Sequence, residues 1–141
     1  MQQTHHLHVN TDLQELSRIL EWLQSLDQFS VSEEDWMQCQ IALAEGFTNV
    51  VRHAHKTLSP ETSIDIDLDF FPAHVEMRIW DYGPPFSLME QLESLSASVD
   101  DELGSGRGLI LLQKIADQLE YVRVDAHRNC LMLIKHRSSE H

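Results

Sequence analysis

The chain has 141 residues, 42% of them hydrophobic, with 23 acidic against 10 basic side chains and a formal net charge of −13. That length and apolar share suffice for one hydrophobic core, so a single domain over residues 1–141 is expected. The negative balance opposes a phosphate backbone or an anionic bilayer over most of the surface, which removes nucleic acid and membrane from the first rank of partners.

In chain order, residues 6–9 alternate weakly and predict an edge strand. Leu13, Leu16, Ile19, Leu20 and Leu23 recur at helical spacing and predict a first amphipathic helix over 12–26. Ser32 with Asp35 three residues on forms a capping pair that opens a second helix over 32–55. Its expected core stripe is Trp36, Leu43, Phe47, Val50, Val51 and Ala54. Turn formers over 56–62 end it. Ile64, Ile66, Leu68 and Phe70 then alternate with Asp65, Asp67 and Asp69, the period of a strand with one buried and one wet face. A tight connection at Pro72, Ala73 and His74 leads to a second strand over 75–80. Pro84 and Pro85 break regular structure, and a polar stretch over 90–103 leads to Gly104-Ser105-Gly106-Arg107-Gly108. A third helix is predicted over 109–119 and two closing strands over 121–125 and 130–135, with a frayed tail. Strands in adjacent pairs favour an α+β fold, a largely antiparallel sheet with helices on one face.

No apolar run approaches the ~18 residues of a membrane span, and the opening MQQTHHLHVN lacks the apolar core of a signal peptide. A cytoplasmic location is therefore expected. Cys39 and Cys130 lie far apart without CxxC spacing, which fits free thiols in a reducing compartment. The nine histidines are scattered, so no structural zinc is expected.

Chemistry concentrates in three places. Residues four apart share a helix face, so Glu45, Asn49 and His53 form one polar row on the second helix. A solvated face accounts for such a row. A phosphoryl-transfer site accounts for it too, because a carboxylate beside a carboxamide supplies a base for a hydroxyl and an oxygen ligand for Mg²⁺. Asn is a poor interior helix former, and an idle surface row more readily carries Glu and Lys. Asp81 and Gly83, after a strand, make either an ordinary turn or an acceptor for a donor such as an exocyclic amine, with Gly83 permitting close backbone approach. Gly104, Gly106 and Gly108 open a helix, either as a plain surface loop or as a phosphate cradle at a positive helix terminus, with Arg107 adding a cation. No Gly-Lys-Ser/Thr follows, so the loop is not a Walker A motif. GxGxxG spacing and a preceding strand are also missing, which argues against a Rossmann site.

Taken in this order, the three elements resemble the GHKL ATPase superfamily, and the short chain looks like the anti-sigma-factor serine kinases of bacteria. The corresponding boxes are Glu45-x-x-x-Asn49-x-x-x-His53, Asp81-Tyr82-Gly83-Pro84-Pro85-Phe86 and Gly104-Ser105-Gly106-Arg107-Gly108-Leu109. The resemblance implies a two-layer α/β sandwich with helices on one face of a mixed, mostly antiparallel sheet. It implies Glu45 as general base toward a serine or threonine hydroxyl, Asn49 as Mg²⁺ ligand and Asp81, with Gly83 beside it, as partner of the adenine amine. Gly104, Gly106, Arg107 and Gly108 would hold the phosphates, His53 would lie near them or brace the helix, and residues 86–103 would form an ATP lid. ATP and Mg²⁺ are the implied cofactors and a STAS-domain anti-anti-sigma protein the implied substrate. A sigma factor or other regulator would be the second partner, and the assembly a homodimer. The chain departs from the family at Pro84 and Pro85, lacks a basic residue just before the second glycine box, and carries Cys130 where a small hydroxyl residue is frequent. Two other functions stay open: an ATP-regulated module that sequesters a partner without phosphorylating it, and a histidine-kinase-like ATPase domain. The latter finds no phosphoacceptor context around His5, His6 and His8, and eukaryotic HRD and DFG motifs are absent.

Overall fold

Apolar and acidic residues alternate along β2 (Ser63–Phe70), and Ile64, Ile66, Leu68 and Phe70 are all buried under the helices. The computed structural model describes residues 3–26, 31–55, 57–84 and 107–137. Its other strands are β1 (Gln3–Asn10), β3 (His74–Asp81), β4 (Gln118–Arg123) and β5 (Asn129–His136). They form one five-stranded sheet in the order β1-β2-β3-β5-β4, in which every neighbouring pair is antiparallel. The first strand is the predicted edge strand, lengthened at both ends because all eight of its residues pair with β2.

Helix α1 (Glu15–Ser25) starts later than its apolar spacing predicts, since Asp12 closes a turn by accepting from the Gln14 N–H at 3.0 Å. Ile19 and Leu23 are buried, whereas Leu13 and Leu20 stay exposed, so the leucine pattern is wider than the face that packs. Helix α2 (Glu33–Asn49) begins where expected, the Ser32 side chain accepting from the Asp35 N–H at 3.1 Å. Glu33, Glu34 and Asp35 in its first turn complement the positive helix terminus. Trp36, Leu43, Phe47, Val50 and Ala54 are buried as the stripe predicts, joined by Cys39 and Ala42, while Val51 is only partly covered.

After Asn49 the helix widens into a π-helical turn over Val50–Ala54, closed by the His55 N–H donating to the Val50 carbonyl at 2.8 Å. Such turns displace the side chains beyond them from the α-helical phase. Ala54 and the neighbouring His55 are thereby both buried.

Helix α3 (Arg107–Ile115) is shorter than predicted. Leu119 keeps the four-residue spacing after Ile115, yet it lies in β4 opposite Leu133. The Asp117 N–H donates to the Ile134 carbonyl at 2.8 Å, and the Asp117 carboxylate accepts from the His136 N–H at 2.6 Å, so the chain is drawn into the sheet before another turn can form. The start of β4 is accordingly earlier than the pattern indicates.

Helix α2 lies between α1 and α3 and rests on β3 and β5, so the helices cover one face of the sheet. The opposite face is not uniformly wet. Asp69 is 4% exposed, clasped by Arg78, which also pairs with Glu76. Cys130 belongs to this face, in register with Trp80.

Candidate functional site

Asp81 is the last residue of β3 and falls in phase with Val75, Met77 and Ile79, so its side chain enters the helix-covered side at the end of the sheet. It is 0% exposed. Among the described residues, three donors meet its carboxylate: the Gly83 N–H at 2.8 Å and the Asn129 side-chain amide at 2.9 Å on Oδ1, and the Tyr121 hydroxyl at 2.7 Å on Oδ2. Burial first, the hydrogen bond to Asp81 second and the Asp81 charge third push the Tyr121 hydroxyl far above its ordinary pKa, so it remains a donor at every physiological pH.

Register explains how residues so distant in sequence meet. Asn129 is the β-partner of Asp81 in one pair and of Arg123 in the next. Its Nδ2 also donates to the Gly83 carbonyl at 2.9 Å, and its Oδ1 accepts from Arg123 Nη1 at 3.2 Å, which sets the orientation of the amide. Arg123 Nη1 donates in addition to the Gly83 carbonyl at 2.9 Å. Asn129 rather than Cys130 is therefore the residue of the last strand that meets Asp81.

Gly83 is buried, and a Cβ there would lie 2.5 Å from the Ala54 carbonyl oxygen, so a side chain is excluded by the π-turn backbone. A second close approach lies eight residues earlier on the helix, where a Cβ on Gly46 would fall 2.6 Å from Ile79 Cδ1. Between these contacts the helical segment advances roughly 12 Å at ~1.5 Å per residue, while the chain passes from Ile79 through the end of β3 at Asp81 to Gly83. The two segments therefore run side by side, and Glu45, Asn49 and His53 lie along the stretch pinned beside the Asp81 corner. Asn49 is 8% exposed at the margin of the packed face and Glu45 is half-buried, so the row is not the fully solvated face that a helical wheel allows.

His55 braces the same corner. Thr11 Oγ1 donates to the Thr62 carbonyl at 2.7 Å, so it accepts from His55 Nδ1–H at 2.8 Å. Nε2 then accepts the Tyr82 N–H at 2.8 Å. Burial lowers the His55 pKa against the pull of the Asp81 charge, in keeping with a neutral ring in this tautomer.

Gly104, Gly106 and the 86–103 lid segment lie outside the described residues, as does Pro85. Arg107 and Gly108 stand in the first turn of α3, so the glycine run does lead into a helix. His53 lies in the π turn. Sequence reasoning missed Tyr121, Asn129, Arg123 and His55. One signal was available: Asn129 alternates with Leu131 and Leu133, and Tyr121 with Leu119, so each places a polar group on an apolar strand face.

Both cysteines are buried free thiols, their pKa values pushed up by burial to about 12 at Cys39 and about 11 at Cys130. Among the described residues, no helix is long and apolar enough to cross a membrane.

A sequence model of the histidine kinase-like ATPase domain matches residues 9–135. The chain is also similar to the serine-protein kinase RsbW of Bacillus licheniformis, with 26% identity over 100 residues. That match covers 67% of this chain and 62% of the relative, so the chain spans less than two thirds of that protein's length.

Proposed function

Since the chain belongs to the histidine kinase-like ATPase domain family, we propose that it is an ATP-dependent serine/threonine protein kinase of the anti-sigma type. In this reading it phosphorylates a STAS-domain antagonist, controls a sigma factor or similar regulator, works in the cytoplasm and acts as a homodimer of single-domain chains. The observation that carries the reading is the pinning of the Glu45–Asn49–His53 row beside the buried Asp81 corner by the Gly46 and Gly83 contacts. The similar protein of Bacillus licheniformis, a serine-protein kinase, supports the same class.

Each residue then has a task. Asp81 accepts the exocyclic amine of adenine on the acceptor position that its three donors among the described residues do not take. Gly83 and His55 hold that corner in place. The backbone of 104–108 takes the phosphates at the start of α3, with Arg107 and His53 near them. The carboxamide oxygen of Asn49 suits Mg²⁺, which binds one or two protein oxygens together with phosphate oxygens and water. When bound, the ion neutralises the charge of the phosphate chain. Glu45 takes the proton of the protein hydroxyl as its oxygen forms the bond to the γ-phosphorus, the bond to the β,γ-bridging oxygen breaks, and ADP leaves.

Incubating the protein with γ-labelled ATP and candidate STAS proteins tests this. Label on a serine or threonine of the partner, present with wild type and absent with Glu45→Ala, is the expected result. Binding of ATP without any transfer would leave a partner-sequestering module in place of a kinase.

A further inference from the structure

We infer that Tyr121 is a specificity-determining residue for the purine base, acting as a positioning residue through Asp81; this rests on the nucleotide reading proposed above. An ionised carboxylate offers about four acceptor positions on its two oxygens. At Asp81 both positions of Oδ1 are taken, by the Gly83 N–H and the Asn129 amide, and Tyr121 takes one of the two on Oδ2. None of the three donors turns away easily: Gly83 is held by the chain, Asn129 by its ties to the Gly83 carbonyl and Arg123, and Tyr121 by the β4–β5 pairing. The fourth position, on the oxygen that Tyr121 holds, is taken by no donor among the described residues.

A carboxylate so surrounded receives a donor and repels an acceptor. The 6-amino group of adenine fits the open position, and a 6-oxo group meets lone pair with lone pair. Without the Tyr121 hydroxyl, Oδ2 of this buried carboxylate has no donor among the described residues. It is then held less firmly and no longer presents a fixed acceptor, so an amine gains less over a 6-oxo group. The hydroxyl thus makes the corner a reader of amines alone.

ATP and ITP, which differ at the 6-position and its adjoining ring nitrogen, are the probes, titrated by calorimetry against wild type and Tyr121→Phe. Wild type is expected to prefer ATP, and the variant to lose about tenfold of that preference, the lower worth of a hydrogen bond to a charged group. A merely structural role weakens both nucleotides alike, so an unchanged ATP-to-ITP ratio overturns the inference while sparing the nucleotide reading. If wild type binds neither probe, the nucleotide reading falls and this inference with it. A measurement on wild type alone guards against a misfolded variant: the triphosphate of unsubstituted purine riboside is expected to bind between ATP and ITP. ITP binding as well as or better than that analogue also overturns the inference.

Discussion

The two ends of the site are built in opposite ways. At the Asp81 end, Gly83, Tyr121 and Asn129 converge on one carboxylate, and Arg123 and His55 lock the surrounding backbone. At the α2 end, Glu45 and Asn49 are carried by a single helix face, and among the described residues neither side chain makes a hydrogen bond. The difference teaches how such a pocket divides its work. Recognition of a base edge needs a fixed pattern of donors and acceptors, which a closed network supplies. Transfer of a proton needs a carboxylate that is accessible to the arriving hydroxyl, which a half-buried helix position supplies.

Breaking the α2 end is expected to have the largest effect on turnover. Glu45→Gln keeps size and removes the base, so phosphotransfer should fall about 10²–10⁴-fold while ATP affinity changes little. Equal losses in both measurements would contradict the division. Asp81→Asn attacks the other end. A carboxamide must turn an N–H₂ toward donors, and ATP binding should weaken roughly 100-fold, the upper worth of a hydrogen bond to a charged group. Calorimetry showing near-wild-type affinity would mean that the base does not bind at Asp81.

Gly83→Ala acts between the two ends. The added methyl meets the Ala54 carbonyl oxygen at 2.5 Å, a backbone atom, so thermal unfolding should show a loss of about 1–3 kcal/mol as for other overpacked sites. A variant as stable as wild type would show that the π turn can withdraw from the corner.

The smallest effect concerns pH. His55 has a lowered pKa in the fold, so the unfolded chain binds more protons in the window below the ordinary value of 6.5. Its contribution to stability is full above that value and is lost as pH falls toward the folded pKa. His6 has the opposite sign, since its hydrogen bond to Asp67 raises its pKa; its contribution is full below 6.5 and is lost as pH rises through the folded value. His6 is largely exposed, so its share is the lesser one. Melting temperatures between pH 7.5 and 5.5 should therefore decline in wild type and decline less in His55→Gln. Parallel curves for the two proteins would remove His55 from the account.

How much was legible differs along the chain for physical reasons. Strand β2 was readable to the residue on its core side, because burial of Ile64, Ile66, Leu68 and Phe70 follows a period of two. Its other side was not, since Asp69 is buried there and pairs with Arg78 of the neighbouring strand. The end of α3 was misread because Leu119 satisfies a helical period and a strand face equally. At the site, the acidic, amide and glycine boxes were visible as spacings, while the supporting residues were not.

Amino-acid order by itself determined the α+β class, the core faces of β2 and of α2, and the positions of the three boxes, because periodicity and capping are local properties. Tertiary structure alone decided that Tyr121 and Asn129, 40 and 48 residues from Asp81, would meet its carboxylate. It alone set the Ala54 carbonyl against Gly83. Such contacts depend on strand register and on where a helix widens by one residue, and neither leaves a period in the sequence.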